Sequence, residues 1–150
     1  MTATATPDAA DIVALLGGQI RMRHKVRTLM DLVEEARGGL PKQSLTAVAV
    51  AATRTPAEAV RVRRQIIPDA TWKRRSGRLR PDESDRTLRL ARLVALAQYV
   101  WHENAADAAE FMATPHPMLQ GQTPLTCSDS DLGAEVVEAV LLRLLFGIAS

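Results

Sequence analysis

The sequence predicts an all-α protein, and three observations carry that expectation. Ala, Leu, Arg and Glu are abundant among its 150 residues. Apolar residues recur at three- and four-residue spacings with little β-branched alternation, and Pro and Gly fall where helices of that period would begin and end. The expected architecture is a compact multi-helix domain with a helix-turn-helix-like N-terminal and middle part and a C-terminal helical part. A chain of this length buries roughly 70% of its unfolded surface, enough for a core without covalent staples.

Residues 1–10, rich in Thr and Ala with Pro7, read as a frayed tail. A first helix is expected from Asp8 or Asp11 to Leu16, stopped by Gly17-Gly18. A second is expected over residues 21–37, with Val26, Leu29, Met30, Leu32 and Val33 as its apolar side and Gly38-Gly39 as its end. Pro41 opens a short helix to Ala52. Thr55-Pro56-Ala57-Glu58 is a start signal in which Thr55 caps, Pro56 takes the first turn and Glu58 completes a capping box; that helix runs to about Ile66. Pro68 restarts the chain for residues 69–76, which Gly77 terminates.

Pro81-Asp82-Glu83 begins the longest helix, residues 82–101, its early acids suiting the positive end of the helix dipole. Leu90, Val94, Ala97 and Trp101 form its main stripe, widened by Leu93, Leu96 and Val100. A further helix covers residues 105–112. Residues 115–126, with four turn-formers, read as an ordered loop that holds Leu119 and Leu125 in the core. Ser128 to Asp131 can cap a last helix over residues 132–146, and Gly147 ends it.

That last helix is unusual. From Val136 to Phe146 only Glu138 and Arg143 are charged. A helix apolar nearly all round must be covered nearly all round, so another chain is expected on it. Arg143 either reaches along the helix to solvent or pairs with a carboxylate across an interface.

The formal net charge of +2 conceals a partition. Residues 1–60 carry net +1, residues 61–80 net +7 with Asp69 their one acid, and residues 81–150 net −6. Such asymmetry suggests a basic face for a polyanion and a separate surface for another partner. The two short helices meeting near Pro68, about residues 55–76, can form a helix-turn-helix whose cations grip phosphates. Arg61, Arg64, Thr71, Lys73, Arg74, Arg75 and Arg78 are the candidate DNA contacts. The same run can equally be the solvated face of surface helices, and Trp72 suits a core anchor better than a base contact.

Other chemistry is not signalled. Cys127 stands alone, which rules out an internal disulfide,. His24, His102 and His116 lie far apart with no metal-ligand spacing. No catalytic constellation or phosphate-cradling glycine loop stands out, so neither enzyme activity nor a cofactor or metal is expected. No signal peptide or membrane-length apolar run is present, and a cytoplasmic location is expected.

From Ile66 onward the chain resembles Xre/MbcA/ParS-type antitoxins. Pro81 to Ser84 and Leu88 to Leu93 look like that family's RPEES-like helix start and its RLxRLARL stretch. Thr114 to Leu125, TPHPMLQGQTPL, is similar to a family segment of the form TPNxxLGGxTPL. Gly133, Val137, Leu141, Arg143 and Gly147 follow at the spacing of its GxxxVxxxLxRxxxG element. The likeness covers about residues 33–150. Gln120 departs from the usual Gly, Met112 from Leu, and the turn before Pro68 lacks its Gly.

The resemblance implies a non-enzymatic antitoxin of a type II module. Its partner would be a RES-domain toxin that consumes NAD or transfers ADP-ribose, neutralised by a C-terminal part, residues 81–150, that covers the toxin's cleft. Residues 1–80 would hold the helix-turn-helix, for DNA binding and autoregulation of the operon. Assembly as a homodimer, 2:2 or larger with toxin, is expected, without membrane contact. The implied toxin contacts are Pro115, His116, Pro117, Gln120, Gly121, Arg143, Phe146, Gly147, Ile148, Ala149 and Ser150. A helix-turn-helix transcriptional regulator without a toxin partner is the alternative.

Overall fold

A computed structural model gives the fold and describes residues 7–147. Within them the chain is all-α, as expected: α1 Ala9–Leu15, α2 Leu29–Arg37, α3 Lys42–Ala51, α4 Pro56–Ile66, α5 Asp69–Arg74, α6 Pro81–Val100, α7 Ala105–Ala113, α8 Pro124–Cys127 and α9 Asp131–Phe146. Two 3-10 turns, Gln19–Arg21 and Pro117–Leu119, lie between them. Isolated backbone pairing joins Pro41 to Arg78. None of the helices is long and apolar enough to cross a membrane.

The long helix α6 is the axis. It packs on α1, α2, α3 and α4 from one half of the chain and on α7 and α9 from the other. Leu90, Ala91 and the whole run from Leu93 to Ala97 are buried, so both the main stripe and its widening face neighbours. Trp101, at the end of that stripe, is only half-buried and meets Phe111 with ring centroids 5.1 Å apart. Polar groups buried on α6 are satisfied, as burial requires. Ser84 Oγ accepts from the Leu40 N–H at 2.9 Å, and Thr87 Oγ1 donates to the Glu83 carbonyl.

Helix starts follow local capping chemistry. Asp8 with Asp11 and Thr28 with Asp31 form reciprocal capping boxes, while Thr55, Asn104 and Ser130 each accept from a backbone N–H of the first turn,. At α4 the box is only half made. Thr55 caps Glu58, but the Glu58 carboxylate turns back to the Arg54 N–H at 2.9 Å and to the Arg54 guanidinium.

Three expectations are corrected. Ala9 and Ala10, read as part of a tail, belong to α1, which starts at its Asp8 cap rather than at Asp11; residues 1–6 lie outside the described residues. The helix expected over residues 21–37 begins only at Leu29, and residues 22–28 form an arch instead. Buried Glu35 accepts from the Arg23 N–H, the His24 N–H and the His24 ring, while the Gln19 side chain holds the His24 carbonyl and the Val26 N–H. These bonds satisfy the backbone that a helix would otherwise have to satisfy. Val26 is buried from the arch, whereas Leu29 and Met30 are exposed. Finally, α5 stops at Arg74 rather than Ser76, and Arg75 is extended, which directs its guanidinium to Glu83.

Candidate functional site

Two surfaces collect the residues that the sequence singled out. The first is C-terminal. Residues 115–126 are not a plain loop: a 3-10 turn and α8 give the segment internal order. Its hub is half-buried His116. The ring Nδ1 accepts from the Met118 N–H at 3.1 Å, the His116 N–H donates to the Gln122 carbonyl at 3.1 Å, and the His116 carbonyl accepts from the Leu119 and Gly121 N–H groups. The His116 ring also meets Phe111 edge-on at 6.3 Å. Leu119 is buried, while Pro115, Pro117, Gln120 and Gly121 face solvent. Gln120 takes a left-handed φ of 56°, where its side chain is under strain that Gly would lack,.

From there Thr123 caps α8 and Ser130 caps α9. Two arginines of α6 fix this junction. Arg89 donates to the Ser128 and Asp129 carbonyls and pairs with Asp131; Arg86 pairs with Asp129 and donates to the Gln65 carbonyl of α4. The direction of α9 is therefore set from α6.

Helix α9 buries Ala134, Val137, Val140 and Leu141 and leaves the opposite face open. Leu132 is 71% exposed and Phe146 56%, with Val136 also exposed on that side, while Leu144, in line with buried Val137 and Val140, is exposed near the helix end. Leu132, Val136, Ala139 and Arg143, together with Met118 from the preceding turn, border a shallow groove of about 320 Å³. Because Leu132 and Phe146 are already partly covered, burying what remains would contribute roughly 1–2 kcal/mol each,. Arg143 is exposed at the groove edge and makes no ion pair among the described residues, and Gly147 closes the helix at φ 65°. Ile148, Ala149 and Ser150 lie outside the described residues.

Sequence reasoning missed Met118, Leu132 and Val136 as surface residues. The signal was available: Leu132 and Val136 stand four apart, and with Ala139 they run along the side away from Ala134, Val137 and Leu141.

The second surface is basic. The consecutive helices that pack together across a turn of helix-turn-helix length are α3 and α4, joined by residues 52–55,. This pair starts one helix earlier than the 55–76 unit read from sequence. Among the candidate DNA contacts, Arg61, Lys73 and Arg74 are exposed and make no ion pair among the described residues. Arg64 is held by Asp69, Arg75 is ion-paired with buried Glu83, and Arg78 donates to the Gly39 carbonyl at 2.9 Å. Thr71 is half-buried. Trp72 is packed against the core between Lys42 and Arg63, whose cationic groups stand 4.4 and 5.1 Å from its ring centre, so it is an anchor.

Burial alone would raise the pKa of Glu83. The hydrogen bonds from Arg75 and Arg80 outweigh it and hold the carboxyl below its ordinary value,. No group of three or more His, Cys, Asp or Glu side chains among the described residues is placed to hold a metal ion.

These features have counterparts in known proteins. The domain family described as the antitoxin Xre/MbcA/ParS C-terminal toxin-binding domain matches residues 96–147, which include α7, α8 and α9. The antitoxin Xre-like helix-turn-helix domain matches residues 31–92, which include α3, α4 and α5. Along its length the chain is similar to antitoxin Xre of Pseudomonas putida, with 30% identity over 161 aligned positions that cover 98% of each chain.

Proposed function

From the premise that this chain belongs to the Xre antitoxin family, we propose that it neutralises a RES-domain toxin by laying the open face of α9 and the residue 115–121 turn over the toxin's cleft. The carrying observation is the helix face on which Leu132, Val136, Ala139 and Phe146 stay exposed beside a hydrogen-bonded turn. A rigid turn loses little entropy on docking, and the apolar face supplies the driving force. The motif likeness over Thr114–Leu125 supports a toxin that consumes NAD or transfers ADP-ribose. Arg143 and the end of the chain, Phe146 to Ser150, would stand at the cleft and exclude the dinucleotide.

In this reading the protein is a cytoplasmic inhibitor without enzymatic activity of its own. It works as a homodimer in a 2:2 or larger complex and represses its own operon through the α3–α4 pair, with Arg61 and Arg64 on the DNA-facing helix. Co-expression with the neighbouring toxin frame tests it. The wild type should restore growth and co-purify with the toxin, while Leu132→Asp/Val136→Asp, changed only at exposed positions, should do neither although it stays folded. Deletion of residues 147–150 should weaken neutralisation. Full rescue by both variants would refute the proposed surface.

A further inference from the structure

Nine arginines of the described residues are ion-paired, and most of them lie on α4 and α6. The cations without an ion pair among those residues are distributed differently. Arg61 and Arg143 stand apart, Arg27 lies beside Asp31 and Lys42 opens α3, but Arg21, Arg23 and Lys25 lie on the 3-10 turn and the arch before α2, and Lys73, Arg74 and Arg78 lie on α5 and just after it. These two groups are distant in sequence. The fold joins them at the Gly38-Gly39 turn.

The Arg23 guanidinium lies directly over Gly38, where an added Cβ would stand 1.3 Å from its Nη2. On the next residue, Arg78 Nη1 donates to the Gly39 carbonyl at 2.9 Å. Lys42, three residues further, donates to the Arg75 carbonyl at 3.0 Å and continues the line towards α5. Like charges gathered on one surface repel one another; Glu35 lies within electrostatic reach of Arg23, but no carboxylate among the described residues forms an ion pair with the six side chains on these two segments. Such a concentration is favourable when a polyanion covers it.

The arch is also built to hold its shape. Met22 and Val26 are buried and Arg23, His24 and Lys25 between them are exposed. Glu35, 1% exposed, accepts the Arg23 and His24 N–H groups at 2.9 and 3.2 Å, and the Gln19 amide closes the other side. A solvated charge run needs no buried carboxylate to fix its backbone. A pre-set row of cations loses little entropy when it meets a regular array of phosphates.

We propose that the 3-10 turn and arch carrying Arg21, Arg23 and Lys25 and the segment carrying Lys73, Arg74 and Arg78 form one continuous belt that binds the phosphate backbone of duplex DNA, extending the contact of the α3–α4 pair. The inference rests on the DNA-binding half of the proposed function and adds to it a surface that lies mostly outside the helix-turn-helix.

The experiment measures binding of the full chain to a fluorescent 20-base-pair duplex across a salt series. Each phosphate contact contributes a slope of about −0.9 in log affinity against log salt. Arg21→Gln/Arg23→Gln/Lys25→Gln should therefore flatten the slope by about two to three units and still neutralise the toxin. Arg21→Lys/Arg23→Lys should keep the slope. Lys25→Gln alone, at an exposed position, should cost about one unit and guards against misfolding of the triple variant. An unchanged slope in a folded triple variant overturns the inference alone. Loss of neutralisation with an unchanged slope overturns it too, and assigns the belt to the toxin. A wild-type chain that binds no duplex overturns the DNA-binding reading and this inference together.

Discussion

Arg86 on α6 reaches Asp129 at 2.6 Å while the same guanidinium donates to the Gln65 carbonyl at 2.9 Å. One side chain thus ties the end of α4 to the junction before α9, so the basic half and the apolar half share a fixed geometry. Arg86→Ala should lower stability by about 1 kcal/mol, since it removes the contact to the Gln65 carbonyl as well as the ion pair,. Asp129→Asn should cost less, because Asp129 is well exposed and exposed pairs contribute little. Urea unfolding of both variants checks the order; an equal or reversed ranking would show that the carbonyl contact is immaterial.

The two faces of α9 should respond oppositely. Leu141 is fully buried, so Leu141→Ala should destabilise the free protein by roughly 2–5 kcal/mol. Leu132→Ala should change the unfolding midpoint hardly at all and instead shorten the lifetime of the toxin complex. Chemical denaturation together with dissociation kinetics separates the two. A large stability loss at Leu132 would mean that its face is covered within the free protein.

Gly133 opens α9 against the α8 turn, and a Cβ there would stand 2.0 Å from the Cys127 carbonyl oxygen. The Cys127 backbone, with the capping Ser130 hydroxyl beside it, leaves little room to give, so Gly133→Ala should cost about 2 kcal/mol or more,. By contrast, Gln120→Gly should gain about 0.5–1 kcal/mol, because relief at φ 56° exceeds the added freedom of the unfolded chain,. Thermal melting of the pair should shift in opposite directions.

Acid sensitivity should trace in part to Glu35. Burial pushes its pKa up, but the hydrogen bonds from Arg23 and His24 prevail and leave it below its ordinary 4.5. The unfolded chain therefore takes up the proton first. The carboxylate's stabilising contribution is complete above about pH 4.5 and fades as pH falls through the folded-state value,. Glu35→Gln should be less stable at neutral pH and should show a shallower loss between pH 5 and 3, read by unfolding across roughly that range. An unchanged acid limb would locate the effect elsewhere, with Glu83 the next carboxyl to test.

By itself the sequence determined what local chemistry governs: an all-α chain, most helix boundaries through Thr55, Pro56, Ser130 and Gly147, a basic centre, and a final helix too apolar to stand uncovered. Motif spacing carried the family. The tertiary structure decided whatever depends on a distant partner. Residues 21–28 have helical spacing, yet Glu35 and Gln19 satisfy their backbone and hold them as an arch. Arg75 looks like its neighbours Lys73 and Arg74 until Glu83 claims it. Leu132 and Leu141 are equivalent in composition, and only the packing of α9 on α6 makes one core and the other surface. Nor could any local pattern reveal that Arg23 and Arg78 lie against the adjacent residues Gly38 and Gly39. Periodicity reports which residues share a face; which face is buried, and which charges remain free, depends on contacts between segments far apart in the chain.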